Sequence, residues 1–291
     1  MILGAGTVAL DTVETPAGSV RDVPGGSALY FAAAASSRVP VAVVGVTGDD
    51  FPDEPLARLA ARGVDVRGIR RHPLPSFRWH ARYDAAGERE ILSVHRGGIV
   101  REWPEVPHFL RGPRVLFLGS TDPGVQARIL EQAGAAETVM LDTMPHWIRG
   151  SRSTLEALLP RVDVLLLSED EVRILGGEAS DEGTAAEAIR HHGPEWVVVK
   201  RGARGACAYG PRGRMAVDAA PVEHVVDPTG AGDAFAGGLA TALAEHGGPT
   251  EAAMDEGLRY GALMGARAVE AFSLEGLLRD DGPEPRPGEA P

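Results

Sequence analysis

The chain has one cysteine, Cys207, among 291 residues, so it cannot form an internal disulfide. That scarcity fits a reducing, cytoplasmic setting. Basic residues are outnumbered, 29 Lys and Arg against 41 Asp and Glu, for a net charge of −12. A surface that coats nucleic acid and a basic face for membranes are thereby excluded. An anionic substrate is not, because one local pocket can oppose the overall charge. No apolar run approaches the length of a membrane span. The start, "MILGAGTVALDTVETP", lacks the basic residues and long apolar stretch of a secretory signal. No G-x-x-x-x-G-K-[ST] motif occurs, which excludes a P-loop, and no internal repeat is visible. The tail 280–291, "DDGPEPRPGEAP", is proline-rich and acidic and reads as disordered.

What is present is an ordinary apolar fraction, 44%, in a chain long enough to bury a proper core. Short β-branched runs recur: "MILGAG", "VPVAVVGVTG", "PRVLFLGS", "ETVMLDT", "VDVLLLS" and "EWVVVKRG". Helical patterns alternate with them at Ser27–Ser37, Glu54–Arg62, Gly124–Gly134, Ser151–Leu159, Glu169–Leu175 and Thr184–His192. Strand then helix, repeated, predicts an α/β fold whose mostly parallel sheet is covered on both faces. Two more helices follow, Asp233–Glu245 and Thr250–Ala271. Two stretches break the alternation. Residues 10–24 read as a hairpin turning at Pro16–Gly18. Residues 77–95 alternate, with Phe77, Trp79, Ala81 and Tyr83 on one face and Arg78, His80, Arg82 and Asp84 on the other. An antiparallel flap of this kind covers a site, pairs with another subunit, or merely decorates the surface.

The glycine motifs carry the chemistry. "GAGTVA" (Gly4 to Ala9) scans as a loose dinucleotide fingerprint, but β-branched residues and a proline turn follow where a helix should open. A nicotinamide dehydrogenase would rest on that motif alone. "VVDPTGAGDAFAGGLA" (Val225 to Ala240) is richer. Pro228 favours a turn, and Gly230 and Gly232 let a ligand approach the backbone. A helical run follows, so the amides of Gly230, Ala231, Gly232 and Asp233 would point outward at the positive end of a helix dipole. Such a nest suits a migrating phosphoryl group, and Asp233 beside it suits a base for the attacking hydroxyl. The dipole should also favour ionised Asp233. A plain helix cap with a tight turn explains the same residues without chemistry.

This motif closely resembles the C-terminal signature of the PfkB/ribokinase family of carbohydrate and nucleoside kinases. The likeness runs from Ile2 to about Leu278. "PGGSALYFAAAAS" (Pro24 to Ser36) with "VVGVTGDDF" (Val43 to Phe51) resembles the N-terminal signature. "LLLSEDEVRILGG" resembles the magnesium-associated N-x-x-E segment, and "VVVKRGARGACAY" the strand and glycine turn over the nucleotide phosphates. The resemblance implies a ribokinase-like three-layer α/β/α sandwich in one domain, 1–279, with a small β-sheet lid from segments about 10–24 and 69–97. It implies a kinase that uses ATP and magnesium on a primary hydroxyl of a sugar or nucleoside. Asp233 would be the base, and Gly230, Ala231 and Gly232 the anion hole. Asp11, Gly25 and Gly26 would bind the acceptor's hydroxyls, and Glu171 would organise water around magnesium. Asp227 and Thr229 match positions that in some members lie by a monovalent cation such as K+. Lys200, Gly202 and Gly205 would face the nucleotide. A homodimer through the lid is also implied.

The sequence departs from the pattern in places. Ser168 stands for the asparagine of N-x-x-E, Pro52 for a common glycine, and Lys200 for a frequent threonine. Tyr30 replaces a substrate-binding asparagine; it would stack on a base or close the pocket. Lys200 would touch a phosphate oxygen or pair with an acid. Asp142 ends a strand and would face the pocket or cap the next turn. Arg78, His80 and Arg82 would meet a polar substrate or lie as solvated strand charges; with Arg96 the arginines are the near candidates for clamping a sugar phosphate. Tyr30, Phe77 and Trp79 would make an aromatic pocket that favours a nucleoside. His191 and His192 end a helix without further metal ligands, Cys207 is core, and adenine or ordinary packing explains the small residues of Tyr260–Phe272. A catalytically silent sensor of nucleoside or ATP would keep the fold without needing Asp233.

Overall fold

The computed structural model describes residues 1–36, 38–95, 104–177 and 181–279. The tail 280–291, Arg96 and Ser37 lie outside the described residues. The chain begins β1 (Ile2–Ala5), β2 (Ala9–Thr15), β3 (Gly18–Gly25), α1 (Ser27–Ala35), β4 (Val41–Gly48), α2 (Glu54–Ala61), β5 (Val64–His72), β6 (Phe77–Tyr83) and β7 (Arg89–His95). It continues β8 (Val115–Leu118), α3 (Pro123–Ala133), β9 (Thr138–Asp142), α4 (Pro145–Gly150), α5 (Arg152–Leu158), β10 (Val164–Ser168), α6 (Glu169–Gly176), α7 (Glu182–Arg190) and β11 (Trp196–Lys200). It ends β12 (Ala206–Gly210), β13 (Gly213–Val217), α8 (Ala231–His246) and α9 (Glu251–Val269).

Nine strands form one sheet in the order β13-β12-β11-β10-β9-β8-β1-β4-β5. From β11 to β5 every neighbour is parallel; β12 and β13 add an antiparallel edge. The strands are apolar on both faces because both are covered, and the two-residue period sorts their side chains. Ile2, Phe117, Met140, Leu166 and Val198 join the core beneath α1, α8 and α9. Leu3, Leu116, Leu141, Leu165 and Val197 join the core beneath α3, α5, α6 and α7. This is the three-layer sandwich with a mostly parallel central sheet that the sequence predicts.

A second sheet, β3-β2-β6-β7, is the small lid. Its second segment starts at Phe77, later than predicted: residues 69–72 complete β5 at the edge of the large sheet. The strand Val64–His72 carries five charged or histidine side chains, which hid its pairing with β4. The chain leaves β1 directly for β2 with no helix between, so the context of a dinucleotide fingerprint at Gly4–Ala9 is absent. From β1 the chain builds β4 and β5 to one side and then returns to build β8 on the other. That reversal opens a crevice at the carboxyl ends of the strands, and the lid hangs beside it. Among the described residues no helix is long and apolar enough to cross a membrane.

Candidate active site

A cavity of about 520 Å³ occupies this crevice. Gly6 and Thr7 after β1, Ser120 after β8, Asp142 closing β9, Glu171 after β10 and Lys200 closing β11 all line it. Pro228, Thr229, Gly230, Gly232 and Asp233 line it from the start of α8, and Phe77, Trp79, Tyr83 and Arg89 from the lid.

Gly230 is the residue before α8 and takes a left-handed conformation, φ 77°. A Cβ there would also lie 2.3 Å from the Tyr30 ring. Only glycine meets both conditions. Tyr30 is 1% exposed and forms the floor under this loop, which favours the pocket-closing reading over stacking on a ligand. Asp233 sits in the first turn of α8 but its side chain makes no capping bond. No hydrogen bond engages the Asp233 carboxyl among the described residues, so it is not a hydrogen-bonded cap. Ala231 N–H turns back to the Pro228 carbonyl at 3.4 Å, which takes it out of the expected anion hole. The N–H groups of Gly230, Gly232 and Asp233 have no hydrogen-bond partner among the described residues. Those three remain available to an oxyanion.

Burial pushes the Asp233 carboxyl up to about 7, with the Asp142 carboxylate adding to the rise and Lys200 opposing it. Here the dipole expectation needs correction. Loss of water and a like charge outweigh the pull of the helix end. Asp11, on β2, is 4% exposed and its carboxyl is pushed up to about 8 by burial, then by Asp227 and Asp233. A Cβ on Gly25 would fall 1.8 Å from Asp11 Oδ2, so that glycine makes room for the carboxylate. Gly26 lines the cavity beside it.

The alternatives for Asp142 and Lys200 resolve together. Lys200 Nζ donates to Asp142 Oδ2 at 2.5 Å, and Thr143 N–H donates to Asp142 Oδ1 at 2.8 Å. Asp142 thus faces the cavity and caps its own turn; Lys200 pairs with an acid and still borders Gly232. Burial works to lower the Lys200 ammonium, yet Asp142 and Glu171 hold it above its usual range. Glu171 accepts the Ser168 N–H at 2.7 Å while Ser168 Oγ accepts the Glu171 N–H, a reciprocal cap of α6. Burial raises the Glu171 carboxyl against the influence of Lys200. Asp227 is 1% exposed; its Oδ1 accepts the Thr229 N–H, and its Oδ2 has no partner among the described residues.

Arg78 lies on the wrong face. Alternation along β6 turns Phe77, Trp79 and Tyr83 to the cavity and Arg78 away, where it pairs with Asp22 and Asp50. His80 and Arg82 likewise pair with Glu14. Gly202 and Gly205 shape the turn between β11 and β12, with φ 56° and 81°, and do not line the cavity. Residues the sequence did not single out include Tyr83, whose hydroxyl accepts from Thr229 Oγ1 at 3.3 Å, and Arg89, Met144, His146 and Trp147 on the walls. Only the period of β6 pointed to Tyr83. The others reach the cavity through topology, which no local pattern announces.

The family model for pfkB family carbohydrate kinases matches residues 7–275. A cytidine kinase of Thermococcus kodakarensis is 30% identical over 80% of this chain and 85% of its own. An ATP-dependent ribose-1-phosphate kinase of Halopiger xanaduensis is 32% identical over 86% of this chain and 82% of its own. The fold matches that of a Burkholderia thailandensis nucleoside kinase in complex with inosine (TM-score 0.76, 21% identity, 94% of this chain and 92% of that one). It also matches a ribokinase of Thermotoga maritima (TM-score 0.75, 21% identity, 95% of both chains). With crevice, lid and glycine turn in place, and a family model spanning nearly the whole chain, the protein belongs to the pfkB family of carbohydrate kinases.

Proposed function

We propose that Asp233 is the general base of this ATP-dependent sugar or nucleoside kinase and that the α8 N-terminus holds the group being transferred. The observation that carries the reading is the meeting of three unpartnered amides and one near-neutral carboxyl in a single cavity. The acceptor's primary hydroxyl attacks the γ-phosphorus of ATP and gives its proton to Asp233. The bond from phosphorus to the β-bridging oxygen breaks, and ADP leaves. Charge on the migrating phosphoryl group meets the Gly230, Gly232 and Asp233 amides, with Lys200 beside Gly232. A base that titrates near 7 is matched to proton transfer at neutral pH. Asp11, with Gly26 next to it, would take two of the acceptor's neighbouring hydroxyls.

Magnesium would neutralise charge on the nucleotide phosphates. Among the described residues no three His, Cys, Asp or Glu side chains converge on a metal. The residues therefore fit an ion held largely by phosphates and water, with Glu171 ordering that water. The unpartnered, buried Asp227 Oδ2 fits a monovalent cation beneath the loop, with Thr229 alongside. On the acceptor side, Phe77 and Trp79 with Met144 and Trp147 form an aromatic and apolar chamber. That chamber favours a nucleoside over a free sugar.

One panel tests the whole reading. Nucleosides, pentoses, hexoses and sugar phosphates are incubated with ATP and magnesium, in potassium and in choline salts, and ADP release is followed. The expected result is acceptor-dependent ADP, highest with a nucleoside and higher in potassium. A nucleoside that binds but releases no ADP would instead identify a silent sensor.

A further inference from the structure

Two charges at neighbouring strand ends do more than line the cavity. Asp142 closes β9 and Lys200 closes β11, with β10 paired between them. The lysine reaches across that strand to place its ammonium 2.5 Å from Asp142 Oδ2. Asp142 is 3% exposed and its second oxygen is fixed by the Thr143 amide, so the carboxylate is a rigid anchor. Lys200 Nζ also lies 3.1 Å from the point a Cβ on Gly232 would occupy, which sets the pair against the residue preceding Asp233. We propose that Asp142 and Lys200 act as one device, an ion pair across two strand ends whose opposite charges set the proton affinity of Asp233 from both directions.

The environment of Asp233 supports the assignment. Asp142 at the end of β9 and Lys200 at the end of β11 line the same cavity as Asp233, and their charges act on it in opposite directions. Glu171 on α6 acts through Lys200. Asp11 on β2 and the Tyr30 hydroxyl on α1 share its field. Arg89 of the lid and His146 of α4 line the same cavity. Asp142 and Lys200 are hydrogen-bonded to each other, so removing one changes how strongly the other acts on Asp233. Nucleotide phosphate arriving at Gly232 would draw Lys200 from Asp142. The negative charge left behind would then strengthen the base when its substrate is present. Asp142 is thus a positioning residue for Lys200 and Asp233.

The role of Asp233 as a base rests on the kinase reading, but the pair can be tested without turnover. The nucleotide-free protein is labelled with carboxyl-¹³C aspartate and titrated by NMR, with Asp233→Asn identifying the resonance. Asp142→Asn should lower the Asp233 midpoint by about one pH unit, since it removes a like charge and releases Lys200 from its bonded carboxylate. Lys200→Met should raise it by a similar amount. The double variant should fall between them, and Lys200→Arg should keep the wild-type midpoint. A pair with only a structural role moves neither midpoint, and an unmoved midpoint or a shift of the wrong sign in either single variant overturns the proposal. Each single variant is decisive alone, so misfolding of one leaves the test intact. Shifted midpoints without ADP release would defeat the kinase reading and leave the pair standing; turnover with fixed midpoints would do the reverse.

Discussion

Asp233 exists under tension between two demands. As the proposed base it must meet a hydroxyl and a phosphoryl group in the cavity, and the same position strips its water. A buried carboxyl that titrates near 7 costs stability at alkaline pH. Its folded-state value is raised, so the folded protein holds the proton more tightly than the unfolded chain. Its contribution is full below about pH 4 and is lost as pH climbs towards 7. Asp233→Asn should therefore be more stable than wild type at pH 8, by on the order of 2 kcal/mol once its partial exposure is allowed for, and should match wild type at pH 4. Calorimetry at the two pH values measures this, and a variant less stable at pH 8 would contradict it. The site was legible at this scale where a motif is contiguous: Asp227 to Asp233 could be read directly. The ionisation of Asp233 was not legible, because it depends on burial first and then on Asp142 and Lys200, which arrive from strands distant in sequence.

At the scale of elements, β6 decides what the lid offers the substrate. Its strict alternation gave the two faces correctly and left open which one looks inward. The acids at Glu14, Asp22 and Asp50 settle that question by pairing with the charged face. They lie outside the strand, so the strand's own sequence could not reveal them. Trp79 is then a wall of the acceptor chamber, with the Arg89 guanidinium 5.9 Å above its ring. Trp79→Ala should raise the KM for the preferred acceptor about tenfold and leave the KM for ATP unchanged, because its loss removes acceptor contact area alone. Steady-state kinetics with each substrate varied distinguishes this from an equal rise in both. Helices were read well where caps and apolar periods coincide, as at α6 and α9. The short helix α4 escaped notice, while α5 was read from Ser151, the residue that ends α4 and starts α5.

At the scale of the molecule, the alternation of strand and helix specified the layered fold, and the order of strands did the rest. Reversal about β1 brings residues from six strand ends and the α8 turn to one crevice. The sequence carried the composition of each strand and almost nothing of their order; β5 shows how a charged edge strand drops from view entirely. That convergence gathers amides at a helix start, a buried carboxyl in the first turn and the aromatic face of the lid around one cavity. The most direct measurement is turnover of Asp233→Asn at pH 8 with the best acceptor, alongside ATP affinity by titration calorimetry. Loss of about 10²–10⁴-fold in kcat with ATP affinity retained is the predicted result. Turnover equal to wild type would contradict the account.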